Sequence, residues 1–349
     1  MPVTIKEVAR RAGVSVATVS RVVNRRDPVR EETRAQVMAA ITDLRYVPSG
    51  VARSLSIRQT HAIGVVLPDL HGEFFSEVIR GLDRAARGSG YHLLLSGSHS
   101  DPAEVEAVLR AIHGRVDGLI AMLPDLEVDQ LADRLPPEIP VLLLNGGEEA
   151  PWGGISIDNE GGALAVTRHL VGLGHRHLVF VGGPEKNSDA RERHRGHLAG
   201  LAEAGLEPRL LPGDFSEDAG YAAGRRLLAA AERPTAVFAA NDAMAIGVLC
   251  ALREGGVRVP EDIALAGFDD IPVARYVLPA LTTVHVAIDE LGRRAFDRLL
   301  AALRGETTAL GERERFPASV VVRESCGAKP ARPTPVPAFF PIQGGSRQP

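Results

Sequence analysis

Short apolar runs recur along most of this chain, and stretches of helical periodicity separate them. The runs at 63–67, 91–95, 118–122, 141–144, 178–181, 236–239 and 263–266 are continuously hydrophobic or nearly so, which predicts strands buried on both faces. Helical patterns fall between most of them, at 74–87, 103–113, 163–173, 191–204, 219–231 and 243–254. Parallel strands need a long crossover and antiparallel ones do not, so this alternation predicts parallel α/β sheets. A break near 155–162 divides the alternation into two lobes.

The first 46 residues read differently. Thr4 with Glu7 three residues on forms a capping box that opens a helix. Gly13 breaks it, Ser15 can cap a second helix, and a third pattern from 31 to 44 places Val37, Ile41 and Leu44 on one face. Pro48 stops that helix, and Ser49 can cap one short helix through Leu55 that has little apolar surface to bury. The tail, 329–349, is rich in Pro and Gly, which predicts disorder, and it lacks the leucine heptads of a coiled coil.

With 349 residues, 45% hydrophobic and 24% charged, the chain has material for two or three globular domains. Its net charge of −4 conceals an asymmetry. The first sixty residues hold eleven basic and five acidic side chains, for a balance of +6 against −10 in the remainder. A basic head on an acidic body implies a polyanionic partner at one end only. The opening MPVTIKEVARRAG has no apolar signal region, so a cytoplasmic location is expected. No apolar run is long enough for a membrane span. Two cysteines, Cys250 and Cys326, are too few for a disulfide framework or a clustered metal site, and no cofactor is expected.

The segment TIKEVARRAGVSVATVSRVVN has the spacing of a helix-turn-helix. Ala9 is small where two helices cross, Gly13 takes the turn, and Val19 packs back with Val8, Val14 and Val22. The second helix then presents Val16, Ala17, Thr18, Ser20 and Arg21. Together with YVPSGVARSL, IGVVLPDL, VDGLI, IDNEGG, LGHRHLVFVGG, FAANDAMAIG, VRVPEDIALAGFDDI and PALTTV, this run resembles the lactose/galactose repressor family of bacterial regulators over nearly everything before the tail. One departure is Arg30, where that family often has a capping Ser.

The resemblance implies a fold and a division of labour. The fold is α/β: an all-α helix-turn-helix head at 1–46, a hinge helix at 47–58, and a two-lobed body at 59–328 like a periplasmic binding protein. One lobe takes about 61–159 and 287–314, and the other about 160–286 and 318–328. The second head helix is expected in the major groove, with Val16, Ala17 and Arg21 at the base-reading positions. Arg21 can pair bidentately with a guanine, worth roughly 1–3 kcal/mol of discrimination, while Val16 and Ala17 offer apolar contact to a thymine methyl. Thr4, Ser15, Thr18, Ser20 and Asn24 suit phosphate oxygens, although for Thr18 and Ser20 a local backbone bond is an equal alternative. In the hinge, Leu55 matches a leucine that wedges into a base step from the minor groove, with Ala52, Arg53 and Ser54 beside it.

In open α/β sheets ligands bind beyond the carboxyl ends of the strands. Asp69, Asn145, Asp158, Asn241, Asp242 and Asp269 all fall there, where an Asp is either a helix cap or a ligand contact. The family pattern selects Phe75, Asp158, Arg193, Phe215, Asn241 and Asp269 as effector residues, with Asn187, Asp189 and Arg191 tuning selectivity. Asp242 is expected to cap the next helix. His175 and His177 sit at a helix end and a strand start, where a cation suits the helix dipole better than a metal. The chain holds no nucleophile elbow, P-loop or dinucleotide glycine turn, so catalysis is not expected. The implied protein is a repressor that binds a pseudo-palindromic operator as a homodimer, under control of a sugar or related metabolite. A purine-type ligand and a corepressor arrangement stay open.

Overall fold

The computed structural model describes residues 3–24, 29–46, 59–99, 101–126, 134–145, 153–306 and 308–328. The expected hinge, with Ala52, Arg53 and Leu55, and the expected tail lie outside these residues.

The head is three helices: α1 (Ile5–Ala12), α2 (Val16–Asn24) and α3 (Glu31–Asp43). The Glu7 carboxylate reaches back to the Thr4 backbone N–H at 2.7 Å and its hydroxyl at 3.0 Å, so the start of α1 is closed as the sequence predicts. Gly13 ends α1 at φ +65°, the left-handed conformation that favours glycine. Ser15 accepts the Thr18 backbone N–H at 3.1 Å and so caps α2. Val8, Ala9, Val19 and Val22 pack with Val37 and Ala40 of α3 into one small core. An Arg11–Asp43 ion pair at 2.7 Å ties α1 to the end of α3.

The body is built on two six-stranded sheets. The first contains β1 (Ala62–Leu67), β2 (His92–Gly97), β3 (Gly118–Met122), β4 (Val141–Leu144), β5 (Gly154–Ile157) and β11 (Arg313–Phe316), in the order β11-β5-β4-β3-β1-β2. The second contains β6 (Leu178–Val181), β7 (Leu210–Leu211), β8 (Ala236–Ala239), β9 (Ala264–Asp269), β10 (Thr282–His285) and β12 (Ser319–Val321), in the order β12-β10-β9-β8-β6-β7. All pairings are parallel except β10 with β12. The inner strands β1, β3, β6, β8 and β9 are buried along their whole length, which is why they read as apolar runs.

Helices α4 (Glu73–Ser89), α5 (Pro102–Ile112) and α10 (Ile288–Leu303) belong to the first lobe. Helices α6 (Asn159–Gly172), α7 (Ser188–Glu203), α8 (Glu217–Ala229) and α9 (Asp242–Glu254) belong to the second. The chain passes between sheets at Asp158, between β10 and α10, and between β11 and β12. The apparent break near 155–162 is therefore not irregular: it is β5 running directly into α6 at the first crossing. Among the described residues no helix is long and apolar enough to cross a membrane.

Candidate functional site

On the head, Val16, Ala17 and Arg21 face solvent, and Val16 is 41% exposed although it is apolar. Thr4 and Ser15 are exposed too, at the starts of α1 and α2. Thr18 and Ser20 are half-buried, and the Thr18 hydroxyl lies 2.9 Å from that of Ser15. The Thr18 N–H and hydroxyl thus both meet the Ser15 side chain. Asn24 is the last residue of α2, and its side chain lies outside the described residues.

Between the lobes lies a cleft of about 520 Å³, formed where loops leave the carboxyl ends of strands in both sheets. Five of the six expected effector residues line it: Phe75, Arg193, Phe215, Asn241 and Asp269. Arg193 is at its centre and only 3% exposed. Its Nε donates to Asn159 Oδ1 at 2.8 Å, and its Nη1 donates to the Ala240 carbonyl at 2.7 Å. Its Nη2 lies 2.8 Å from Asp269 Oδ1 as an ion pair, without the alignment of a hydrogen bond. The guanidinium carbon sits 3.9 Å from the Phe268 ring centroid and 5.8 Å from that of Phe215, so the cation is held between aromatic faces. Asp269 closes β9 at φ +104°, a left-handed conformation uncommon for a non-glycine residue. Phe215 has φ +73°.

Asn241 has two tasks. Its Oδ1 caps α9 by accepting the Met244 N–H at 2.9 Å, and its Nδ2 donates to the Phe215 carbonyl at 2.9 Å. That bond fixes the loop carrying Phe215. Asp242 is not the cap it was expected to be. It is wholly buried and accepts from the Ile271 N–H at 2.9 Å and the Thr283 hydroxyl at 2.6 Å, bracing the segment after β9 against β10.

Asp158 does not line the cleft, which corrects its assignment to the effector site. Its carboxylate caps α6 through the Gly161 N–H at 3.2 Å and faces Arg315 at 3.5 Å. Both uses point it at the crossing between lobes.

The structure adds residues that strand-end logic did not select. Asp189, 7% exposed, accepts from Asn145 Nδ2 of the first lobe and Asn159 Nδ2 of the second, each at 3.0 Å. Burial pushes the Asp189 and Asp269 carboxyls up to about 6, against the pull of Arg193 beside them. Three more bonds join the lobes: Asn187 Nδ2 to Asp125 Oδ1 at 3.1 Å, the Ser188 N–H to the Pro124 carbonyl at 2.9 Å, and the Val273 N–H to Glu73 Oε2 at 3.0 Å. In the sequence Asp189 was marked only by the family pattern, as a residue tuning selectivity, and not by a strand end; it lies in the first turn of α7. Among the described residues no cluster of His, Cys, Asp or Glu has the geometry of a metal site.

A three-helix head with an exposed reading helix, joined in one chain to a two-lobed body around a polar cleft, defines a DNA-binding regulator with a solute-binding body. Residues 4–49 match the bacterial regulatory proteins of the lacI family, and residues 167–326 match a periplasmic binding protein-like domain. The HTH-type transcriptional repressor PurR of Erwinia tasmaniensis is 39% identical over 339 residues, spanning 94% of this chain and 98% of that protein. PurR of Edwardsiella ictaluri is 41% identical over 307 residues, 85% of this chain and 89% of that one. Among solved structures, the lac repressor dimer bound to operator and the anti-inducer ONPF superposes with a TM-score of 0.85 at 32% identity, covering 94% of this chain and 100% of that one. The complex of the transcriptional regulator CelR with cellobiose gives 0.69 at 32% identity, covering 93% and 99%. The chain belongs to the lacI family of bacterial regulatory proteins, and it is a transcriptional repressor, not an enzyme.

Proposed function

We propose that this repressor binds a pseudo-palindromic operator as a homodimer, and that a sugar or sugar-like metabolite in the cleft controls its affinity for DNA. The observation that carries the reading is the convergence on one cavity of Arg193 and Asp269 with Asn241 and Phe215 from one lobe and Phe75 from the other. Such a cavity offers donors, acceptors and aromatic faces together, which is what a polyhydroxylated ring needs. The cellobiose complex of CelR and the ribose-bound regulator of Enterococcus faecium, a structure with a TM-score of 0.68 at 28% identity, support a carbohydrate ligand.

On the DNA side, Arg21 reads a guanine and Val16 and Ala17 contact the neighbouring base edges. Thr4, Ser15, Thr18, Ser20 and Asn24 touch phosphates, and Ala52, Arg53 and Leu55 enter the minor groove. For a dimer, the two half-sites lie about one helical turn apart. The dimer face includes the exposed Leu94 and Leu95 of the edge strand β2, and the exposed Tyr276 and Leu278 beyond β9. An uncovered edge strand carrying leucines is unusual in a monomer.

The direction of control we propose is induction: ligand releases operator. The test is a titration of operator binding against a panel of sugars and nucleosides. Release by one of them supports the reading, and tighter binding in its presence overturns induction.

A further inference from the structure

The cleft is electrostatically one-sided. Seven carboxyl-bearing residues line it, and among the described residues Arg193 is the one lining side chain with a fixed positive charge. Lys186 and Arg191, close in sequence, are not part of the lining. The segments 127–133 and 146–152 contain no Lys or Arg.

The single cation is already engaged. Arg193 pairs with Asp269 and spends Nε and Nη1 on Asn159 and Ala240. Among the described residues Asp189 has only the neutral amides of Asn145 and Asn159 as hydrogen-bond donors. Asp125 is held by the Asn187 amide and Asp214 by the Ser216 N–H and hydroxyl. Two carboxylates more than nine-tenths buried thus share one guanidinium, and Oδ1 of Asp269 accepts no aligned hydrogen bond. Buried charge in this excess calls for a cationic partner.

We propose that the effector is an amino sugar or a close analogue: a small polyhydroxylated molecule with one protonated amine, received between Asp189 and Asp269. The proposal rests on the reading of this cleft as the effector site and narrows its chemistry. An ammonium brings three donors, and each Asp189 oxygen keeps a lone pair beyond the one its amide uses. Phe75 and Phe215 are left to cover the apolar faces of the ring. Sugar phosphates and sugar acids, which would add negative charge to an already negative cavity, are excluded.

The experiment is calorimetry and thermal melting of the full-length protein with glucosamine, galactosamine, their N-acetyl forms, glucose, galactose and glucose 6-phosphate. One amine is expected to bind at least about tenfold more tightly than its N-acetyl and neutral counterparts, with no binding of the phosphate ester. In Asp189→Asn and Asp189→Ser that preference is expected to shrink toward unity; the two differ in size, so one reports if the other fails to fold. A neutral sugar that binds as tightly as its amine, or a phosphate ester that binds, overturns the proposal and leaves the effector cleft standing. An amine preference that survives in both variants overturns the role of Asp189. Stabilisation by none of these compounds overturns the amine proposal and the sugar reading together.

Discussion

Arg193 is anchored by three partners at once, so its removal has two separable consequences. Asp269 is left buried without its counter-ion, and breaking a buried pair from one side costs about 3–5 kcal/mol. Arg193→Ala is therefore expected to lower the denaturation midpoint and abolish the response to effector, measured by urea unfolding and by operator titration. The buried carboxyls add a pH signature. Asp189 and Asp269 titrate at about 6 in the folded chain against 3.8 as the ordinary value. Between those values the folded chain holds protons that the unfolded chain releases, so their contribution to stability falls as pH rises through the window and levels off above it. Relative to wild type, Asp189→Ser is expected to gain stability on going from about pH 4 to pH 7, by an amount of order 2–3 kcal/mol. Melts across that range check it, and a difference independent of pH refutes it. At this scale the sequence carried much of the site. Arg193, inside α7, and Phe215, beyond the short β7, were legible only through the family resemblance, whereas Asn241 and Asp269 stand at strand ends that apolar runs mark. Asp158 stands in the same kind of place and differs only in where its side chain turns, which is settled by Gly161 and Arg315. Asp189 depends on Asn145 from the other lobe, a pairing that no local pattern encodes.

Helices meet in this body at positions without side chains. A Cβ on Gly81 of α4 would stand 1.9 Å from the Asp289 carbonyl oxygen of α10, and one on Gly292 of α10 would stand 2.3 Å from that of Val78. The same reciprocity joins α8 and α9, where a Cβ on Gly220 would lie 2.1 Å from the Met244 oxygen and one on Gly247 2.0 Å from the Glu217 oxygen. These backbones touch, and no rotamer change can make room. Gly247→Ala is expected to cost about 1–3 kcal/mol or more by forcing α8 and α9 apart, read as a lower midpoint in chemical denaturation. The strands β1, β3, β4, β6, β8 and β9 were legible from their apolar runs because both faces are covered. The strands β5, β7, β10, β11 and β12 and the helix α10 were not among the elements read from the sequence. β7 is two residues long, and β11 is a charged RERF that becomes a strand only by pairing with β5. Thr282 and Thr283 of β10 are fully buried polar residues whose hydroxyls are satisfied by Cys326 and Asp242, partners more than forty residues away.

For the whole molecule, the proposed mechanism is a coupling between the angle of two lobes and the spacing of two heads. A change of 5–150-fold in operator affinity needs only about 1–3 kcal/mol of such coupling. The structure places bonds of that size across the cleft: Glu73 to the Val273 N–H and Asn187 to Asp125, besides Asn145 to Asp189. Glu73 is exposed and Asn187, though buried, is an uncharged amide, so removing them leaves no deeply buried charge unpaired. Each is worth about 0.5–1.5 kcal/mol net, and the bonds exist only while the lobes are together. If ligand induces by drawing the lobes together, these bonds favour the induced state, and Glu73→Ala with Asn187→Ala biases the chain away from it. The double variant is then expected to bind operator several-fold more tightly without ligand and to need more ligand for release. Operator titrations by fluorescence anisotropy, with and without effector, measure both quantities. Weaker operator binding by the double variant would assign the closed body to the DNA-bound state, and ligand would then act as a corepressor through the same contacts between lobes.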